Sequence, residues 1–535
     1  MASNTSVPAI PLTGGLNLAV NSQQIAPGEC TELTNYEVTT VGRYQRTGGY
    51  ERYDGQQSPS SVIASNVPGF PFDTPEETIA AVKAEQAVKR DLIQPVPGSG
   101  PVLGVLLFKG QRYAFRNTAD GSAAKMHKAT GTGWQEVTTP ALQPNGVYEF
   151  VETNFTGSAS TIEVVGVDGS NPAFRFDGTA FTQITSIIAP DQPIHIEVLP
   201  SQVLLLAFRG GSFLHSAVGD PTKFSNVDGG GEIAVGSEIT GIQVQADATC
   251  AVFTRNRTFM LYGSSGGTSG DFQLKALALQ SGAIAKTLQS MGSAVYLDDR
   301  GLTRLDRVQS FGDFDSAAIS QKVQPLLLLK ILSVNCSMTI RSKNQYRLFF
   351  SDSTVLTMTM YGNEVQGFSE LRYNFVANCT CSGEDTNGKE LFFVGGVDGY
   401  VYQLDKGNSF DGDAYSSSLQ TGFMTLGQPE YKKRWRKLVI EADSVTRIDA
   451  TYRCFYDFAD PNIPLGKVML GSGSKWDLSD WDIATWGGSS TSWSDLYIDG
   501  VSRSIAIAIA NTSDYYPPHT LSQLYLHASP RGRRR

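Results

Sequence analysis

Short apolar runs, each followed by a turn on Gly or Asn and then by alternating apolar and polar positions, recur about every 45 residues between Leu103 and Leu404, a period typical of stacked or radially arranged β-units. The turns fall at Gly110, Gly169, Gly210, Asn256, Gly301, Asn344 and Gly399. The runs LGVLLF (103–108), VLLLAF (203–208) and LFFV (391–394) have the continuous apolar character of strands buried on both faces. The segments after the turns, such as RYAFR from Arg112 and YVYQL from Tyr400, alternate, so one face of each hairpin is expected to be half-wet. The pattern predicts an inner-strand hairpin in every unit.

Two units share an outer element, GTGWQEV at 131–137 and GTAFTQI at 178–184, and single aromatics at Phe224, Phe272, Phe314, Phe368 and Phe410 keep a similar step. Roughly four strands per unit at this period fit a β-propeller of six to seven blade-like units over 96–421. An irregular β-sandwich with evenly spaced turns is the alternative. Before the repeats, 73–95 predicts one prominent helix, capped by Asp73 or Thr74, with Pro75, Glu76 and Glu77 in its first turn and Lys89 and Arg90 near its end. Its modest apolar stripe suits a helix laid on the propeller's flank or on a neighbouring subunit. After the repeats, 422–528 reads as a second β domain, with KLVIEAD from Lys437, RIDATYRCFYDF from Arg447 and SRSIAIAIAN from Ser502. Residues 1–72 hold short strands among irregular stretches, which are expected to lie on that domain or on a partner. The fold class is therefore mainly β: a propeller, an additional β-rich domain built from the C-terminal and N-terminal segments, one helix, and a basic tail at 529–535.

Composition agrees, since 54 Gly and 10% aromatic residues suit a turn-dense β protein and 41% hydrophobic residues support a large core in 535 residues. The net charge of −9 argues against a general nucleic-acid binder, whose affinity comes from neutralising phosphates. It leaves room for a conduit, through which DNA slides best when attraction is weak. Two basic stretches stand out. YKKRWRK (431–437) makes Arg434 and Arg436 candidate interface residues or solvated cations on a strand edge. The terminal RGRRR makes Arg533, Arg534 and Arg535 candidates for docking on an acidic neighbour or simply a solvated tail. Trp476, Trp481 and Trp486 lie five apart, a period of neither helix nor strand, so an irregular loop is expected there, serving as an aromatic interface, a carbohydrate platform or packing.

Candidate chemistry is sparse. The six cysteines show no Cys-x-x-Cys and no paired His, so neither a zinc site nor a disulfide framework is expected. Cys379 and Cys381 would share one face of a strand. No stretch of eighteen apolar residues exists, and PLLLLKIL (325–332) is too short to cross a bilayer and is expected to be buried. With no secretory pattern at the start, synthesis in a cytoplasm is expected. Asp298, Asp299, Asp306 and Asp313 are carboxylates of the type glycosidases use, but Asp serves turns beside Gly equally well. The five histidines are far apart, and Asp411-Gly412-Asp413 lacks the spacing of a calcium loop. No catalytic residue, metal or cofactor is assigned.

Several motifs, in order, resemble the tail nozzle proteins of short-tailed bacteriophages, the tail tubular protein B family. They are GGLN at 14–17, PGE at 27–29, NYEVT at 35–39, GRYQRTGGYERYDG at 42–55, VPGSGPVLGV at 96–105, YAFRN at 113–117, VGDPTKFSNVD at 218–228 and SAVYLDDRGLTRL at 293–305. The resemblance covers most of the chain and is weakest at the Trp-rich segment. It implies a virion protein, assembled in the host cytoplasm into a homohexameric ring at the distal end of the tail. Its partners would be a tail adaptor ring protein, the phage DNA leaving through the channel and the host envelope, with tail fibres as a further candidate. The resemblance carries no catalytic residues and no cofactor. Holding a genome requires a constriction, and the Gly-rich tips at Gly229, Gly230 and Gly231, and at Gly266, Gly267 and Gly270, are candidate gates or ordinary exposed turns. The alternative function is a propeller that binds glycans or hydrolyses host surface polysaccharide.

Overall fold

The computed structural model describes residues 7–263, 271–278, 280–306, 318–444, 448–457, 466–470 and 491–531. Within them, seven antiparallel sheets follow one another along the chain. Their first strands are Ser99–Phe108, Glu149–Thr153, His195–Val198, Ile239–Val244, Gln289–Ser290, Val334–Ile340 and Ala377–Glu384. All seven contribute residues to the wall of one central cavity. Later strands of each sheet lie progressively outward, which is the blade arrangement of a β-propeller. Blades 1 to 4 each have four strands, and blade 5 has three among the described residues.

Blade order explains the apolar runs. Second strands such as Glu163–Val167, Leu204–Phe208 and Cys250–Thr254 are buried at every position, because each is flanked by a blade on either side. The core is accordingly cut into wedges. One joins Phe115 and Met126 of blade 1 to Val164 and Phe174 of blade 2, the next joins Val165 to Leu206, and another joins Leu205 to Val252. The shared outer motifs are indeed fourth strands, Gly133–Glu136 and Phe181–Gln183. The hairpins are less uniform than the sequence suggests. The turns near Gly110 and Asn344 join first to second strands, whereas those at Gly169, Gly210, Asn256, Gly301 and Gly399 join second to third. Turn chemistry is the same at both places, so period alone misses the slip by one strand.

Blade 7 is completed from the other end of the chain. Its outermost strand is Tyr50–Tyr53, antiparallel to Val401–Leu404 with Tyr50 opposite Leu404 and Tyr53 opposite Val401. Tyr50 seats its ring among Phe375, Tyr373, Tyr402 and Phe410, with centroids 4.8–5.4 Å away. The N-terminal segment is thus partly propeller, which departs from the domain boundaries read from the sequence.

The remaining strands form a sandwich. One sheet runs in the order Tyr36–Val38, Tyr44–Arg46, Thr520–Arg531, Lys432–Asp443, Thr491–Ser502, with Ala9–Pro11 also paired to Thr520–Arg531. The other carries Cys30–Thr34, Tyr415–Thr421, Ile505–Ser513, Ile448–Tyr456 and Gly466–Leu470. It is continuous with blade 6 through a parallel bridge between Thr34 and Glu370. Tyr415–Thr421 therefore belongs to the sandwich, not to the propeller where 96–421 had put it. Trp435, Leu438, Ile440, Ile507, Leu524 and Leu526 fill the space between the sheets.

Helix α1 (Pro75–Leu92) begins as expected, with the Thr74 hydroxyl accepting from the Glu77 N–H. It packs Val82 on Val62, Ala64, Val67 and Tyr515, and Lys83 pairs with Asp514 at 2.7 Å. The leucine-rich run forms helix α2 (Gln324–Lys330), but only Leu327 within it is buried, and Leu328, Leu329 and Leu332 are exposed. A helix this short turns only one side inward, so the expectation of a buried segment fails there. Replacing the closing aromatic, Tyr50→Ala, is expected to cost about 3 kcal/mol, measured as a lowered urea midpoint. Tyr50→Phe, which keeps the ring, should retain most of that stability.

Candidate functional site

The central cavity has a volume of about 1180 Å³. Its wall is a belt of side chains that bond from blade to blade. Gln289 of blade 5 donates to the Ser337 carbonyl of blade 6 at 3.2 Å, and the Thr380 hydroxyl of blade 7 donates to the same carbonyl at 2.8 Å. Asn378 of blade 7 donates to the Val102 carbonyl of blade 1 at 2.8 Å, and Asn117 and Asn145 bridge blade 1 to the entry of blade 2 at 2.8 Å. These amides and hydroxyls pair polar atoms that the sheets' own ladders leave over.

Blades 2 to 4 use ionisable groups in the same belt. His195 Nδ1 lies 2.9 Å from Glu149 Oε1, and Nε2 lies 3.2 Å from the Ile239 carbonyl. Burial disfavours a charge on His195, but Glu149 outweighs it and raises the imidazole's affinity for its proton. Glu197, two residues on, accepts from the Val244 N–H and the Gln243 amide, each at 3.3 Å. Burial pushes its pKa up to about 7. Arg341, which also lines the cavity, pairs with Glu384 at 2.7 Å.

A second constellation lies where the chain start meets blades 6 and 7. Glu37 sits between Arg347 (2.8 Å) and Lys343 (2.8 Å), and Asp405 completes the square at 3.1 and 2.8 Å from the same cations. The Arg347 side chain is 0% exposed and that of Glu37 3%. Thr47 and Gln345 donate to the remaining Glu37 lone pairs at 2.7 and 3.2 Å. Burial opposes ionisation of both carboxyls, yet the two cations hold Asp405 down at about 2 and Glu37 below its ordinary value. The sequence offers no signal for this cluster, because its members are 310 and 58 positions from Arg347.

The residues singled out from sequence fall in other places. Gly229, Gly230 and Gly231 are buried, not exposed tips. A Cβ on Gly230 would meet the Phe224 backbone at 2.5 Å, and Gly231 opens the outermost strand of blade 3, Gly231–Ala234, against His215. Gly229 holds a turn with φ 90°, Gly230 and Gly231 are small because their surroundings are packed, and none of the three lines the cavity. Gly266, Gly267, Gly270, Trp476, Trp481, Trp486, Arg533, Arg534 and Arg535 lie outside the described residues. Arg434 pairs with Asp499 at 3.5 Å, and Arg436 is exposed beside it. Both line a hollow of about 610 Å³ with Tyr497 and His527, created where a bulge at Trp435–Lys437 interrupts both strand pairings.

The described aspartates serve a turn or pair with arginines. Asp298 accepts from the Arg300 and Gly301 N–H groups at 2.8 and 3.1 Å, Asp299 pairs with Arg255, and Asp306 pairs with Arg304 at 2.8 Å. Asp313 lies outside the described residues. Asp411 is bound by Arg52 at 2.8 Å. Cys379 and Cys381 share the seam between blades 7 and 1, where burial raises their thiols to about 12 and about 11. Among the described residues the cysteines are all free, and no group of three or more His, Cys, Asp and Glu is arranged to hold a metal ion.

No family model and no curated protein matches the chain. Solved structures of similar fold include virginiamycin B lyase from Staphylococcus aureus, at 11% identity and TM-score 0.40, covering 58% of this chain and 97% of that one. A streptogramin B lyase matches at 10% identity and TM-score 0.39, covering 58% and 95%. The Pan2 WD40 domain of Neurospora crassa matches at 10% identity and TM-score 0.37, covering 57% and 89%. The propeller assignment rests on the strand order and the shared cavity described above.

Arg347→Met leaves Glu37 and Asp405 with Lys343 alone, and breaking a buried pair in this way is expected to cost about 3–5 kcal/mol by denaturant titration. The carboxyls' contribution is present above their ordinary pKa and is lost as pH falls through their lowered folded values. The variant, lacking much of that contribution, should therefore unfold at higher pH than the parent when acid unfolding is followed by circular dichroism.

Proposed function

We propose that the chain is a structural virion protein that forms the distal nozzle ring of a short phage tail, retains the packaged genome and provides the channel for its ejection. The observation that carries this reading is the ordered set of nozzle-like motifs, together with the work their residues do. Gly28 (φ 97°) sits so close to the Pro11 carbonyl that a Cβ would collide with it. Asn17 donates to Glu29 at 2.7 Å, and Glu29 pairs with Lys322 at 2.8 Å. The Tyr44 hydroxyl takes the Gly15 N–H and donates to the Gly28 carbonyl. Arg46 stacks on Tyr415 at 3.9 Å and donates to the Ser513 carbonyl at 2.7 Å. The motifs thus serve as scaffolding that ties the propeller to the sandwich, a use suited to a part that bears load.

The genome would not thread one propeller. A cavity of about 1180 Å³ is on the scale of a small-molecule pocket of roughly 300–1,000 Å³, and the blade-to-blade belt crosses its wall. The duplex would run through the axis of a ring of subunits, with six copies, a tail adaptor ring, the DNA and the host envelope as partners. The second reading, a glycan-binding or glycan-cleaving propeller, has this cavity and its carboxyls Glu149 and Glu197 in its favour.

Sedimentation and negative-stain imaging of the purified protein, alone and with the adaptor protein, test the proposal. A closed ring, by itself or on the adaptor, is expected. A protein that stays strictly monomeric in both mixtures and turns over host polysaccharide would replace the first reading with the second.

A further inference from the structure

We propose that the seam joining blades 2, 3 and 4 at the central cavity is a proton-loaded latch, closed while His195 carries both ring protons and Glu197 is protonated, and loosened when those protons leave. The inference is independent of the ring proposal and concerns a single subunit.

Geometry carries it. His195 lies on the first strand of blade 3 and touches both neighbours, with Glu149 of blade 2 at 2.9 Å and the Ile239 carbonyl of blade 4 at 3.2 Å. Both contacts are acceptors. Only an imidazolium has a donor on each nitrogen, so only the charged ring satisfies both blades. A neutral ring faces one acceptor with a lone pair, at a site where His195 is 8% exposed.

The surrounding groups act in the same sense. Glu149, Glu197 on the histidine's own strand, and Glu238 at the entry to blade 4 are the charged groups felt by the pair. The hydrogen bonds offered to Glu197, from Val198 at 3.2 Å and from Val244 and Gln243 at 3.3 Å, are long. Elsewhere in the wall, Lys109, Lys286, Glu152, Glu384, Asp385 and Arg341 carry charge, and Arg341 is engaged by Glu384. Protonated, the seam holds a cation against Glu149 and a neutral Glu197. Deprotonated, it holds a neutral ring beside ionised carboxyls with no cation between them.

Both titrations have the same sign. His195 binds its proton more tightly in the fold than its ordinary value implies, so its contribution is full below that value and is lost as pH rises through the raised one. Glu197 moves from 4.5 to about 7, so an opened seam releases its proton before the closed seam does, and rising pH favours opening across that interval. The Glu37–Asp405 cluster responds in the opposite direction, weakening in acid, so a local measurement is needed to separate the two.

Amide hydrogen exchange of the intact protein at pH 5.5, 7 and 8.5, corrected for the intrinsic pH dependence of exchange, supplies it. Protection of the strands His195–Val198 and Ile239–Val244 should fall at least tenfold from pH 5.5 to 8.5, while Glu390–Gly396 of blade 7 stays constant. Glu197→Gln and His195→Gln should each flatten that fall. Seam protection that does not change with pH in the parent protein, an equal fall in blade 7, or an unaltered slope in Glu197→Gln would overturn the latch.

Discussion

The four-charge square of Glu37, Lys343, Arg347 and Asp405 is the constraint on which the architecture turns. A buried ion cluster contributes little net stability compared with a well-packed apolar substitute, but it penalises every arrangement in which one member is missing. Here the members come from the chain start, from blade 6 and from the end of blade 7. The N-terminal segment must be in place before Arg347 can be buried without cost, and once there it brings Tyr50–Tyr53 alongside the last blade. The same segment carries Tyr44 and Arg46 into the sandwich. One electrostatic requirement thus couples ring closure to the docking of the second domain.

Around that junction, apolar packing does the bulk of the work and polar groups set the order. The wedges between blades are interchangeable in kind, being Val, Leu and Phe from adjacent strands, and would tolerate a slip of one blade against another. The cavity belt does not. Gln289 with Ser337, Asn378 with the Val102 carbonyl, and His195 with Glu149 are directional contacts that fit one neighbour in one register. The propeller's hydrogen-bonded interior is therefore as much a specifier of blade order as a cavity wall.

Much of this was legible in the sequence. Continuous apolar runs followed by turns marked buried strands, the second in blades 3 and 7 and the first in blade 1, and the paired GTGWQEV and GTAFTQI segments marked outer strands, because both features are local. The helix was legible for the same reason, with its cap, proline and flanking charges all within one turn of its ends. What escaped was non-local. Nothing local to YERY pairs it with Val401–Leu404, about 350 residues away, so the completion of the last blade is not written along the chain. Gly229 does hold a turn, with φ 90°, but at Gly230 and Gly231 it is close approach of the Phe224 backbone and of His215 that calls for the small residue, which no local pattern reveals. The square of charges and the His195 bridge join residues whose spacing follows no period, so no pattern along the chain could have assembled them.

The pairing of Tyr53 with Val401 also orders events at the ribosome. The strand that finishes the circle leaves the ribosome roughly 20–70 s before its partner, at about 5–20 residues per second. Throughout that time Tyr50–Tyr53 has no partner, because Val401–Leu404 and the rings of Tyr373, Phe375, Tyr402 and Phe410 that surround Tyr50 are made only at the end of the interval. Newly made chains are then most exposed to exchanging that strand with a neighbour, and a chaperone that shields the first 53 residues would have its greatest effect in that interval.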